Sequence, residues 1–196
     1  MTQKVEQQLI DKALNGDVTA FSEVYLRMRG SIYGFAYRML KETSLAEDIT
    51  QEVFMFLLNN PYRFDSEKGE LLPFLCGIAR NKIIQYLRKH STKSEVFEDD
   101  FSKFDEFENL ENNPLEVLLK GELAEKIEHF VAELPPLQRE VLILREIEGL
   151  PYSEIAEITE TNLSQVKIRL HRARKSLVND LKPYLTSGKG KFYEMY

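Results

Sequence analysis

Residues 151–181 read PYSEIAEITETNLSQVKIRLHRARKSLVNDL, and this stretch decides the fold of the C-terminal part. Two short helices separated by a tight turn are written into it. The first carries Ile155, Ala156 and Ile158 on one side, and small Ala156 lets another helix approach closely. Thr159-Glu160-Thr161 supplies the turn. Asn162 then stands at a favoured cap position with Gln165 three residues on, the pattern of a capping box. Helical periodicity turns Leu163, Val166, Leu170, Ala173 and Leu177 of the second helix inward. Its opposite face shows Ser164, Ile168, Arg172 and Lys175, flanked by Gln165, Lys167, Arg169 and His171.

A helix-turn-helix that reads duplex DNA needs these features. Apolar residues seat the second helix on its own domain, donors near its N-terminus face base edges, and cations hold phosphates. Ile168 is an unusual outward residue, suited to a thymine methyl group. The plainer alternative is a surface helix whose bases are merely solvated. The preceding helix, turn and cap favour the DNA reader.

Upstream of this motif, Leu134-Pro135-Pro136 restarts the chain, and Leu137, Val141 and Leu144 mark the helix that follows. Leu115, Leu118, Leu119, Leu123 and Ile127 keep helical spacing after Pro114. Residues 91–114 are polar and acidic, with scattered Phe97, Phe101, Phe104 and Phe107. They read as a linker whose phenylalanines leave docking onto a partner open.

Nearer the N-terminus, Asn15-Gly16-Asp17 breaks the chain before one helical face of Phe21, Val24, Tyr25, Met28, Ile32, Phe35, Ala36 and Met39. Ser44-Leu45-Ala46-Glu47 has the form of a capping box before the stripe Ile49, Val53, Phe56 and Leu57. That helix should end near Asn59-Asn60-Pro61, because proline disfavours helix at the residue before it. Residues 62–70 read as a loop. The next helix is expected from about Leu72 to Lys89, with Leu72, Leu75, Cys76, Ala79, Ile83 and Leu87 inside and Asn81, Gln85 and Arg88 opposite. No run of alternating apolar residues supports a sheet. The expected fold class is therefore all-α: two small helical domains, residues 1–93 and 115–186, an acidic linker over 94–114, and a tail over 187–196.

The net charge of −6 at first argues against a nucleic-acid partner, but its distribution matters more. Residues 71–94 hold five bases, Arg80, Lys82, Arg88, Lys89 and Lys93, and no acid. Residues 95–116 hold nine acids against Lys103 alone. Residues 162–182 hold six bases against Asp180. Two basic segments separated by an acidic one suggest two contact surfaces and a differently tasked connector.

No apolar run is long enough to cross a bilayer, so direct membrane insertion is not expected. The first residues lack the order of a secretory signal, and the single cysteine, Cys76, forms no internal disulfide. A cytoplasmic chain is the expectation. Neither a Gly-rich phosphate loop nor a metal spacing among His90, His129 and His171 is present. No catalytic residue, metal or cofactor is therefore expected. Cys76, on an apolar stripe, reads as a small core residue, with a redox role as the alternative.

Two stretches resemble the bacterial sigma factor family, in particular its small two-domain extracytoplasmic-function (ECF) type. The first is AEDITQEVF at 46–54, followed by Phe64-Asp65 and by Ile78-Ala79-Arg80-Asn81. The second comprises Leu134-Pro135, REVL at 139–142, Gly149-Leu150, Tyr152, Glu154-Ile155-Ala156 and VKIRLHRAR at 166–174. Together they span most of residues 20–178, in the family's order and spacing. Three departures stand out: Ser164-Gln165 where the family often has Gly-Thr, Ile168 where it often has serine, and Pro151 in place of a serine cap.

The resemblance implies a subunit, not an enzyme, that binds core RNA polymerase, directs it to promoter DNA and assists promoter melting. It implies that Asp48, Gln51 and Glu52 meet the clamp helices of the polymerase's largest subunit. Without it, a plain solvated face would be the preferred reading of those three. Arg80, Asn81, Lys82, Gln85, Arg88 and Lys89 would serve the minus-ten element, with Asn81 at a base edge and Tyr62, Phe64 and Tyr86 offering stacking surfaces. Ser164, Gln165, Lys167, Ile168, Arg169, His171, Arg172 and Lys175 would serve the minus-thirty-five element. The acidic linker would follow a basic route on the polymerase, or act only as a tether. An anti-sigma factor is a further partner common in this group. Two other readings compete: a free-standing helix-turn-helix regulator and a module that sequesters another regulator. Of the three, only the sigma factor reading requires the Asp48/Gln51/Glu52 surface.

Overall fold

The structure, a computed structural model, describes residues 6–90 and 122–187. The linker expectation, the spacing at Leu115, Leu118 and Leu119, and the tail beyond Ser187 lie outside the described residues. Within them the chain is helical and contains no strand. An N-terminal group comprises α1 (Gln7–Leu14), α2 (Val18–Leu40), α3 (Thr43–Asn59), a short 3-10 turn (Pro61–Arg63) and α4 (Leu71–His90). A C-terminal group comprises α5 (Glu122–Glu133), α6 (Pro136–Leu142) with a π turn (Ile143–Ile147), α7 (Tyr152–Ile158) and α8 (Leu163–Ser187).

Local chemistry sets several boundaries. Gly16 takes a φ of 93°, and Asp17 caps α2 by accepting from the Thr19 and Ala20 amides at 2.9 and 3.0 Å. Lys41 ends α2 in the left-handed region. The capping box expected at Ser44 is not formed: α3 starts at Thr43 behind Glu42, and the Ser44 hydroxyl donates to the Glu42 carboxylate at 3.3 Å. The cap position thus falls two residues early, at Glu42, where Ser44 is already helical and its side chain cannot cap. At the other end, Asn59 closes α3 before Pro61, as proline requires.

α2 is the spine of the N-terminal group. Its Val24, Met28, Ile32, Phe35, Ala36 and Met39 are buried against α3 and α4, which contribute Ile49, Val53, Leu57, Leu75, Cys76, Ala79 and Ile83. Each large side chain here stabilises the fold by about 1.5–3 kcal/mol relative to exposure. The sequence reading did not include α1, which adds Ile10 and Ala13 to this core. Phe64, considered above as a stacking surface, is buried and packs on Phe74 with centroids 5.2 Å apart. Burial pushes the Cys76 thiol well up, with Glu148 and Glu154 adding to the effect, so it is kept as an unreactive core thiol.

The two groups are packed against one another, and their apolar residues form one continuous cluster. α7 lies on α4, and α5 and α6 lie on α2. Polar contacts fix the junction. Arg38 and Lys41 each donate to Glu128 at 2.9 Å. Arg139 reaches across to the Met39 carbonyl at 2.7 Å, near the C-terminus of α2, where a cation is favoured. The same guanidinium holds the Leu134 carbonyl at 2.8 Å and the Ala132 carbonyl.

A pH effect follows from this junction. Burial pushes the Glu148 carboxyl above its ordinary 4.5, against the opposing hydrogen bond from Ser31 and the charge of Arg38. The folded chain therefore holds that proton more readily than the unfolded chain. Its contribution is fully favourable at low pH and is lost as pH rises past 4.5 and through the folded value. Glu148→Gln should melt higher than the parent at pH 7.5, with the advantage shrinking as pH falls toward 5. An equal difference at both pH values in thermal melts would contradict this assignment.

Candidate nucleic-acid interface

α4 presents its polar side as the periodicity requires. Asn81, Gln85, Arg88 and Lys89 are exposed on one side, while Ala79, Ile83 and Ile84 are buried. Tyr86 stacks on His90 with centroids 4.1 Å apart, and the His90 Nδ1 sits 2.9 Å from the Tyr86 carbonyl, which anchors the end of the helix. Tyr62 is 77% exposed in the short turn before the loop, where its hydroxyl donates to Asn60 Oδ1 at 3.2 Å.

Arg80 departs from the expected set. Its side chain is only 11% exposed, and its Nε donates at 3.0 Å to Glu140 of α6, whose side chain is fully buried. Lys82 is also engaged: its ammonium pairs with Glu52 of α3. That pair joins two sets which the sequence reading kept apart, since α3 and α4 lie side by side. Asp48, Gln51 and Glu52 are all exposed on α3, away from buried Ile49, Val53 and Leu57. Gln51 borders a cleft of about 400 Å³ between α2 and α3, lined also by Tyr25, Arg29, Tyr33 and Glu47. Periodicity alone gave no signal for the Arg29 and Tyr33 side of this cleft.

In the C-terminal group, the turn between α7 and α8 is built as the sequence suggests. The Thr159 hydroxyl donates to the Ile155 carbonyl at 2.7 Å, and Glu160 takes a φ of 53° to reverse the chain. Asn162 Oδ1 accepts from the Gln165 amide at 2.9 Å and caps α8. The Arg145 guanidinium lies 4.8 Å from the Tyr152 ring centroid and donates to the Leu150 carbonyl at 2.9 Å, fixing the start of α7. Pro151 precedes that helix without a side-chain cap.

α8 seats Val166, Leu170, Ala173 and Leu177 in the core, but Leu163 is 49% exposed, contrary to the expected inward position. It is the first helical residue, projecting before the helix has met its neighbours. Ser164, Lys167 and Lys175 are exposed, and Gln165, Ile168, His171 and Arg172 are half-buried on the same outer side. Arg169 is turned inward instead, with its Nη1 3.8 Å from Glu140 Oε1. Three residues after Val166 and four before Ala173, it shares their buried face. Arg174 is likewise held within the domain by Glu146, its Nε donating at 2.9 Å.

Each of the two helical groups, one with an exposed amide-and-base face and one with a helix-turn-helix, is matched by a sigma-70 family model. The family model for sigma-70 region 2 matches residues 24–92, and that for sigma-70 region 4 matches residues 124–177. The ECF RNA polymerase sigma factor SigM of Bacillus subtilis is 32% identical over 160 residues, covering 80% of this chain and 94% of that protein. RNA polymerase sigma-H factor of Pseudomonas aeruginosa is 29% identical over 190 residues, covering 94% and 98%. Among solved structures, the sigma factor RpoE of Bartonella quintana, in complex with the anti-sigma factor NepR, superposes with a TM-score of 0.65 at 25% identity, covering 84% of this chain and 98% of that one. The chain belongs to the ECF group of RNA polymerase sigma factors. No helix among the described residues is long and apolar enough to cross a membrane.

Proposed function

We propose that this chain is a promoter-specificity subunit that binds core RNA polymerase, places it on promoter DNA and assists strand opening. One observation carries the reading: a single short chain presents two separate polar-basic helix faces, on α4 and α8, beside an acidic-amide face on α3. A free-standing DNA-binding regulator would need only α7 and α8. Asp48, Gln51 and Glu52 on α3 would engage arginines of the polymerase clamp through charge-assisted hydrogen bonds. Asn81 and Gln85 would hold a minus-ten base removed from the stack, with Arg88 and Lys89 on phosphates. On α8, Ser164, Gln165 and Ile168 would face base edges of the minus-thirty-five element, and Lys167, His171, Arg172 and Lys175 its backbone. An anti-sigma factor is a partner consistent with the relative solved in complex with NepR. No step of this function requires the protein to make or break a covalent bond.

Run-off transcription tests the proposal. Core polymerase alone should give no discrete transcripts from a pool of genomic promoter fragments, and added chain should yield a reproducible set. An unchanged transcript pattern with a well-folded chain would favour the free-standing regulator.

A further inference from the structure

α8 is held on both flanks of its apolar stripe, each time by a carboxylate from the segment beneath it. At about 100° per residue, buried Val166, Leu170, Ala173, Leu177 and Leu181 centre on the side directly opposite Ile168. Arg169 then lies roughly 80° to one side of that centre, and Arg174 roughly 60° to the other. Arg169 Nη1 stands 3.8 Å from Glu140 Oε1. Arg174 donates to Glu146 Oε1 twice, from Nε at 2.9 Å and from Nη2. Glu140 is fully buried and Glu146 is 3% exposed. Both carboxylates belong to α6 and its π turn, and α6 packs along α8. Glu146 stands on the π turn itself, where the Glu148 amide donates back to the Ile143 carbonyl at 3.1 Å. Such turns are rare and occur mostly as local insertions at functional positions.

Apolar packing is non-directional, so the stripe alone seats α8 without fixing its rotation about its own axis. That rotation matters at the DNA face. A roll of about 20° carries a side-chain tip about 5–6 Å from the axis through roughly 2 Å. A hydrogen bond to a base edge does not survive such a shift. An ion pair on each flank opposes roll in both senses. We propose that Glu140 and Glu146 are positioning residues: through Arg169 and Arg174 they set the roll of α8, and so decide how Ser164, Gln165 and Ile168 meet the bases. Arg169, grouped by sequence with the DNA contacts, thus acts on base choice without touching a base. The inference rests on the sigma reading for the identity of the duplex, the minus-thirty-five element.

Glu140 also receives Arg80 of α4, so the test is made at Glu146. Holoenzyme assembled from core polymerase and the full chain is bound to duplex promoters with a randomised minus-thirty-five element, and the bound fraction is sequenced. The full chain alone is run on the same pool. In Glu146→Gln, at parent helicity by circular dichroism, enrichment of the preferred bases should fall roughly fivefold or more at one or more positions, the scale of one misplaced base contact. A second pool, randomised at the minus-ten element, should be read as by the parent. Arg174→Lys keeps the charge but loses the fork, and should move the same minus-thirty-five positions less. Exchanging the pair, Glu146→Arg with Arg174→Glu, should return the parent's preferences. Weaker binding to every sequence alike, with preferences intact, would show that the pair only stabilises the fold, and overturns the proposal. Preferences that the exchange leaves unrestored at parent helicity overturn it too. If Glu146→Gln does not reach parent helicity, Arg174→Lys decides alone, and unchanged preferences there count against the proposal. Failure of the sigma reading shows instead in the parent, as enrichment by the free chain and none added by polymerase; the roll is then judged on the free chain. Enrichment by the parent in neither format overturns both.

Discussion

Glu140→Ala is expected to cost the folded chain about 3–5 kcal/mol, the range for removing one partner of a buried ion pair. The Glu140 side chain is fully buried, and Arg80 and Arg169 are 11% and 8% exposed, so neither guanidinium can turn to bulk water when the carboxylate is lost. Their charge would remain in a medium that solvates it poorly. The melting midpoint should fall by roughly 10 °C for a chain of this size. Urea unfolding of parent and variant measures the difference, and a loss below about 1 kcal/mol would show that solvent reaches the site. The contrast with Lys82 and Glu52 is instructive. That pair is 30% and 59% exposed, and its removal should cost no more than about 1 kcal/mol.

Asn81→Ala should cut the yield of open promoter complexes by roughly 5- to 150-fold, the equivalent of about 1–3 kcal/mol for a lost side-chain-to-base contact. Asn81 is exposed on the outer side of α4, one residue past Arg80, and no core residue depends on it. Its carboxamide donates and accepts at once, which suits the edge of an extruded base. Binding to core polymerase should stay within about twofold, because the α3 surface is untouched. Permanganate footprinting of unpaired thymines, beside a core-binding assay, separates the two effects. An unchanged open-complex yield would remove Asn81 from the melting step.

Much of this was legible in the chain because the signals are local. Pro61 ended α3, Asn162 capped α8, and the three-and-four spacing of Leu72, Leu75, Cys76, Ala79 and Ile83 placed Asn81 and Gln85 outside. The failures have physical reasons too. The stretch from Ser44 has the composition of a capping box, but the cap position falls two residues earlier and the Ser44 side chain finds Glu42. Arg169 looks like a flank residue when charge is taken to mean surface, yet its spacing from Val166 and Ala173 already put it on the buried face. What makes burial tolerable is Glu140, 29 residues upstream in sequence and on another helix. Arg80 is the same case across the junction of the two groups, 60 residues from its partner. Pairings of that separation leave no periodic trace, so these contacts could be found only in three dimensions. α1 was missed for a related reason: eight residues bury just Ile10 and Ala13, too few to set a period.

The central claim is that the α3 surface recruits core RNA polymerase. The most direct test is co-elution of the full chain with bacterial core polymerase, beside an Asp48→Ala/Gln51→Ala/Glu52→Ala variant of unchanged helicity. The account predicts a stoichiometric complex with the parent and its loss in the variant, since all three side chains are exposed and none supports the core. A well-folded parent that elutes apart from the polymerase, or a variant that binds as well as the parent, would contradict it.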